Sequence, residues 1–94
     1  MKDLQKRAAD RHSRRFGKLD PLRLMAKLLE EAGELSRAVL RNDRENAVEE
    51  LGDCIIVLAS VANYLGVDLQ LASETKMTVH ENRLREWEAK GGKQ

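Results

Sequence analysis

Apolar positions recur along this chain at three- and four-residue intervals, broken at three places by Gly, Pro, Asn and Asp. Leu, Ala, Glu, Lys and Arg dominate the periodic stretches and β-branched residues are few, so these stretches read as amphipathic helices. The pattern predicts four. The first runs from about Lys2 to Phe16 and ends at Gly17, a residue suited to the left-handed position past a helix end. The second has Asp20 as N-cap and Pro21 at its first helical position, and continues to about Leu40. A turn at Arg41-Asn42-Asp43 leads into a third helix, from about Glu45 to Leu65, capped by Asn42 or Asp43 and closed by Gly66. Asp68 caps a fourth that lasts to about Lys90, and the tail 91–94 is expected to be flexible.

Projection at 100° per residue puts Leu24, Met25, Leu28, Leu29, Ala32, Leu35, Ser36 and Val39 of the second helix on an arc of roughly 140°. Glu31 falls about 20° outside that arc, Glu34 further round on the same side, and Glu30 further still towards solvent. The third helix differs. From Cys54 to Leu65 it is apolar on nearly every side, the mark of a helix surrounded by protein. A chain of 94 residues reads as a single domain, 1–94, and can hardly cover such a helix alone, so a homodimer or homotetramer is expected. Tyr64 is expected to pack, and Trp87 to fasten the last helix to the bundle or to a second subunit.

Charge adds little at the scale of the whole chain. Seventeen basic and sixteen acidic residues leave a net charge of +1, which argues against nucleic acid as a partner. The basic residues Arg7, Arg11, Arg14, Arg15 and Lys18 do crowd the segment 1–19, which leaves a non-catalytic helical dimerisation or nucleic-acid-binding module as a rival reading. The lone Cys54 offers no disulfide and reads as a small buried hydrophobe. With no apolar stretch of membrane-spanning length and no signal-peptide pattern, a cytoplasmic protein is expected.

The acids change the picture. Glu31 and Glu34 form one i, i+3 pair on the second helix, and Glu50 and Asp53 form another on the third. Each pair projects from one face about a turn apart. Alone, either would read as a solvated face with Lys or Arg partners. Two such pairs on neighbouring helices, one of them on a helix with no polar side, bring four carboxylates together. Like charges gather in this way around a cation, and an all-oxygen cage suits a hard one such as Mg²⁺, with Mn²⁺ as a substitute.

The run Glu30-Glu31-Ala32-Gly33-Glu34, then positions 35 to 49, then Glu50-Leu51-Gly52-Asp53, has the form E-E-x-x-E followed by E-x-x-D. Lys27-Leu28-Leu29 precedes the first half and Cys54-Ile55-Ile56-Val57-Leu58-Ala59 follows the second. From about Arg11 to Trp87 the chain resembles the MazG-like nucleoside triphosphate pyrophosphohydrolases, the all-α NTP-PPase family. That resemblance implies a four-helix, bundle-like all-α fold completed by oligomerisation. It also implies Mg²⁺-dependent hydrolysis of a nucleoside triphosphate to monophosphate and pyrophosphate, in the service of nucleotide-pool house-cleaning. By motif position Glu31, Glu34, Glu50 and Asp53 would be the catalytic metal ligands, with Glu30 as an outer group or base. Lys27, Lys76, Arg83 and Arg85 are the candidate phosphate contacts, and Phe16 falls where relatives place an aromatic against the base. Relatives carry Lys and Asn four residues apart on the last helix. Here Lys76 and Asn82 are six apart, with His80 at the expected Asn place. The two spacings differ by about 200° of rotation, so Lys76 and Asn82 share a face only if that helix is irregular. Phosphoribosyl-ATP pyrophosphohydrolases share the acid pattern but follow it with a Tyr-His pair, where this chain has Ile55-Ile56-Val57.

Overall fold

The structure, a computed structural model, describes residues 2–92. Among these it is all-α: α1 (Lys2–Phe16), α2 (Pro21–Leu40), α3 (Arg44–Leu65) and α4 (Leu69–Ala89). Three aspartates start three of the helices. Side chains of Asp20, Asp43 and Asp68 accept from the backbone N–H groups of Leu22, Asn46 and Leu71. Each satisfies a donor that the first helical turn leaves unpaired. Gly66, at φ 70°, ends α3 in the left-handed conformation, and Val67 N–H donates back to Ala62 C=O. The expected flexible tail extends to Lys93 and Gln94, which lie outside the described residues.

α2 and α3 fold back on one another as a hairpin, and α1 docks on α3. The backbones of α1 and α2 do not approach each other, so α3 carries both and a groove is left between them. The core is made mostly of small side chains: beside Leu24 and Val57, Ala8 of α1, Ala38 of α2, and Cys54, Ala59, Ser60 and Ala62 of α3 are buried, Ala59 completely. Small residues let helix axes come close, because dispersion attraction needs contact distances of about 4 Å.

One expectation about burial is corrected. On α2 the buried residues are Leu24, Glu31 and Ala38, while Met25, Leu29 and Val39 of the expected apolar arc lie exposed. The buried stripe is therefore rotated towards the acids. As expected for so apolar a helix in so short a chain, α3 is not enclosed within one chain: Val48, Leu51, Ile56, Tyr64 and Leu65 are all exposed. The physical reason is α4. It leaves α3 at 96° and buries none of its own residues, so it does not fold back over the other helices. Trp87, 45% exposed, lies beside Gly92 at the end of α4. The Cα radius of gyration is 16.7 Å, against about 12 Å for a compact chain of this length.

The elbow between α3 and α4 is pinned by Gln5, a buried residue of α1. Its amide nitrogen donates to Asn63 Oδ1 and Val67 C=O, and its amide oxygen accepts from Leu69 N–H at 2.8 Å. Asn63 Nδ2 returns a bond to the Gln5 carbonyl. One side chain thus joins α1, the end of α3 and the first residue of α4. No single helix among the described residues is long and apolar enough to cross a membrane.

Candidate metal centre and adjoining cavity

Helix α2 supplies Glu31 and α3 supplies Glu50 and Asp53; one carboxylate oxygen from each lies within 4.8 Å of the others. Their burial runs opposite to the sequence-based ranking. Glu31, expected at the edge of the buried stripe, is only 6% exposed, Glu50 is half-buried, and Asp53 is exposed. Rotation of the α2 stripe puts Glu31 into the seam between α2 and α3. Glu34, one turn further along α2, stands beside Glu50 and is half-buried at the rim, where a cavity of about 300 Å³ also meets Arg37, Arg41 and Asn46. Glu30 faces outward, 3.5 Å from Lys27 Nζ.

Lys27 is the cation of the cluster. Its ammonium lies 3.1 Å from Glu31 and is held charged by that contact. The Lys27 hydrogen bond pulls the Glu31 carboxyl below its ordinary range, with Glu50 adding to the effect and burial opposing it. Glu50 moves the other way. Its approach to Glu31, then burial, then the neighbouring Glu34 push it up to about 7. Two facing carboxyls share one proton, which belongs to the pair rather than to either residue. With both ionised, Glu31 Oε2 and Glu50 Oε2 are buried acceptors that no donor reaches.

These features fit a bound cation. The donors are hard oxygens, two of them lack partners, and the charges that repel one another would all face one divalent ion. The Cys54 thiol beside them is pushed up, by burial first and then by the acidic field, and is an inert packing group.

Lys27 also lines a second feature, a cavity of about 450 Å³ in the groove between α1 and α2, floored by α3. His12, Phe16 and Arg15 of α1, Arg23 of α2 and Ser60 of α3 face it. Phe16 is 43% exposed, with the Arg23 and Arg15 guanidinium carbons 5.3 and 5.4 Å from its ring centroid. Both guanidinium groups lie within cation–π range of the ring. His12 lies 5.2 Å from it, tilted by 47°, and its buried Nε2 has no partner. An unmet buried polar atom costs about 1–3 kcal/mol.

The α4 candidates lie elsewhere. Lys76, His80, Asn82, Arg83 and Arg85 are exposed, on a helix with no contact to α2. α4 departs from the end of α3 that is roughly 18 Å along the helix from Asp53. α4 is an unbroken helix, so Lys76 and Asn82 do not share a face, and Asn82 instead accepts from Arg85 at 2.7 Å. Sequence reasoning passed over Arg23 and Ser60, assigned Arg11 and Arg15 only to the rival nucleic-acid reading, and placed His12 one turn before Phe16. The spacing of Arg11 with Arg15, and of His12 with Phe16, did carry a signal, since both pairs are i, i+4.

The chain is similar to known proteins over most of its length. The family described as the MazG nucleotide pyrophosphohydrolase domain matches residues 19–84. The chain is similar to the YpjD protein of Bacillus subtilis (strain 168), with 37% identity over 82% of this chain and 79% of that one. It is also similar to a dATP/dGTP diphosphohydrolase of Cyanophage S-2L, with 40% identity over 67% of this chain and 54% of that enzyme. Among solved structures, the crystal structure of the Bacillus-conserved MazG protein, a nucleotide pyrophosphohydrolase, aligns with a TM-score of 0.75 and 36% identity, covering 84% of this chain and 86% of that one.

Proposed function

Since this chain belongs to the MazG nucleotide pyrophosphohydrolase family and is a nucleotide pyrophosphohydrolase, we propose that it converts a nucleoside or deoxynucleoside triphosphate to the monophosphate and pyrophosphate, with Mg²⁺ held by Glu31, Glu50 and Asp53 and, from the rim, Glu34. The observation that carries this is the convergence of three carboxylates, two with unpartnered buried oxygens, with Lys27 reaching from Glu31 to a cation-lined cavity. Bound there, Mg²⁺ or Mn²⁺ supplies charge neutralisation for the phosphates and a more acidic water. Lys27 belongs to both features, so it spans the junction between the acids and the cavity. Its ammonium orients Glu31 and offers positive charge to a phosphate oxygen. Glu30 serves from outside the cluster, holding the other flank of Lys27. Phe16 offers a ring face to the nucleoside.

The α4 residues enter through a second copy. Lys76, Arg83 and Arg85, with His80 and Asn82, lie too far along the chain to reach their own acids. A homodimer or homotetramer covers the exposed apolar residues of α3 and brings a neighbour's α4 towards the phosphates.

Incubation with Mg²⁺ and a panel of NTPs and dNTPs tests the reading. Monophosphate and pyrophosphate are the expected products. Diphosphate and orthophosphate, or no turnover of any nucleotide, would overturn it.

A further inference from the structure

We propose that the cavity at the far rim of the acids is a pyrophosphate site, in which Arg37 and Arg41 hold the two terminal phosphates of the substrate and then the leaving group. This rests on the proposed triphosphate reading and deepens it, because it assigns one end of the nucleotide to each side of the acids. Four observations converge. The cavity, about 300 Å³, is lined by Arg37 and Arg41 together with Glu34 and Glu50, so it shares two carboxylates with the candidate metal centre. Arg37 and Arg41 stand four residues apart at the end of α2, about a turn apart along one face. Neither side chain has a hydrogen bond or ion pair with a described residue. A Cβ at Gly33 would lie 3.6 Å from Arg37 Nη1, so that guanidinium reaches back along α2 to the turn that carries Glu34.

The order of charges along α2 fits the two products. Arg23 and Lys27 line the cavity between α1 and α2 on one side of Glu31 and Glu34, and Arg37 and Arg41 stand on the other. Hydrolysis at the α-phosphorus forms a bond to the water oxygen and breaks that to the α–β bridging oxygen, which leaves with pyrophosphate while a water proton passes to solvent. Negative charge therefore builds on the side away from the nucleoside. Two guanidinium groups there suit phosphate oxygens, which their planar forks can meet in pairs. The cavity also meets the first turn of α3 at Asp43 and Asn46, where the backbone N–H dipoles favour an anion. Asp43 is the one acid in that lining outside the metal cluster, and its carboxylate is engaged by the Asn46 N–H. A basic residue in the last turn of α2 also complements that helix's own dipole, a role that would show in stability alone.

The test titrates inorganic pyrophosphate, in Mg²⁺ buffer, into wild type, Arg37→Gln, Arg41→Gln and the double variant. Binding is read by calorimetry and by the phosphorus resonances, and fold by far-UV circular dichroism and melting. The Kd for pyrophosphate should rise about tenfold in each single variant, as for loss of one charge-assisted contact, and recover in part in Arg37→Lys and Arg41→Lys. The four deoxynucleoside monophosphates are the contrast, and their Kd should stay as in wild type. No binding of pyrophosphate to wild type, unchanged affinity in the double variant, or an equal loss for the monophosphates overturns the proposal. A lowered melting temperature with unchanged pyrophosphate affinity assigns the arginines to the helix end and overturns it too. Turnover is read separately. If wild type forms monophosphate and pyrophosphate but binds pyrophosphate independently of the arginines, the catalytic reading stands and this site falls. Arginine-dependent binding without turnover of any nucleotide upholds the site and overturns the catalytic reading instead.

Discussion

Glu31 and Glu50 face each other across the α2–α3 seam, and their protons answer to different neighbours. Glu50 is raised from the ordinary 4.5 to about 7, so the metal-free fold favours its protonated form. That contribution is complete below 4.5 and is lost as pH rises through about 7. Glu31 is lowered, so its contribution is present above 4.5 and is lost as pH falls through its depressed value. The metal-free protein should therefore melt highest in mildly acid buffer and lower at neutral pH, with Mg²⁺ restoring the loss. Melting temperature against pH, with and without Mg²⁺, reads this directly. Glu50→Gln should flatten the neutral limb. Metal affinity should climb with pH to about 7 and then level, because the ion displaces the shared proton; titration calorimetry in buffers of different ionisation enthalpy would show the proton released. Asp53→Asn should cut kcat by about 100-fold or more, in the range seen when a charge-stabilising group is removed. Because Asp53 is exposed, the same variant should unfold within about 0.5 kcal/mol of wild type.

The helices themselves were legible because their signals are local. Asp20 before Pro21, Asp43 and Asp68 at two further N-caps, and Gly66 at a left-handed end each act within a few residues of themselves. The four-acid pattern was legible for the same reason: i, i+3 spacing on a helix decides which side chains share a face. What periodicity could not decide was which flank of the α2 arc is buried. Leu29 and Glu31 lie at opposite edges of that arc, and α3 takes the acidic edge. The cavity was hidden for a related reason, since Arg23 meets Phe16 only after both α1 and α2 have docked on α3. Close approach along α3 depends on its small residues. Ala59→Leu should therefore cost about 1–3 kcal/mol by denaturant melt, the range for overpacking a filled core.

At the scale of the molecule, an extended α4 and exposed apolar residues on α2 and α3 leave the chain short of covering its own hydrocarbon. Leu22, Leu29, Leu40, Leu65 and Leu71 are each more than half exposed. Sedimentation equilibrium should return at least twice the chain mass of 10.7 kDa, and a stable monomer would contradict the proposed assembly. The right-angled departure of α4 was not readable from the sequence. Gly66 announces that α3 stops there, but the direction taken afterwards depends on bonds from residue 5, more than sixty positions away.

Those bonds make the two ends of the chain one mechanism. Gln5 occupies the first two turns of α1, yet its amide holds the opening residue of α4. Trimming the first helix at the amino terminus would thus act on the far arm like withdrawing the bolt from a bracket. Gln5→Ala removes three bonds at once and leaves the acids, Lys27 and the α1–α2 cavity untouched. Amide exchange should quicken from Val67 to Leu71 in that variant, while the seam around Glu31 keeps its protection.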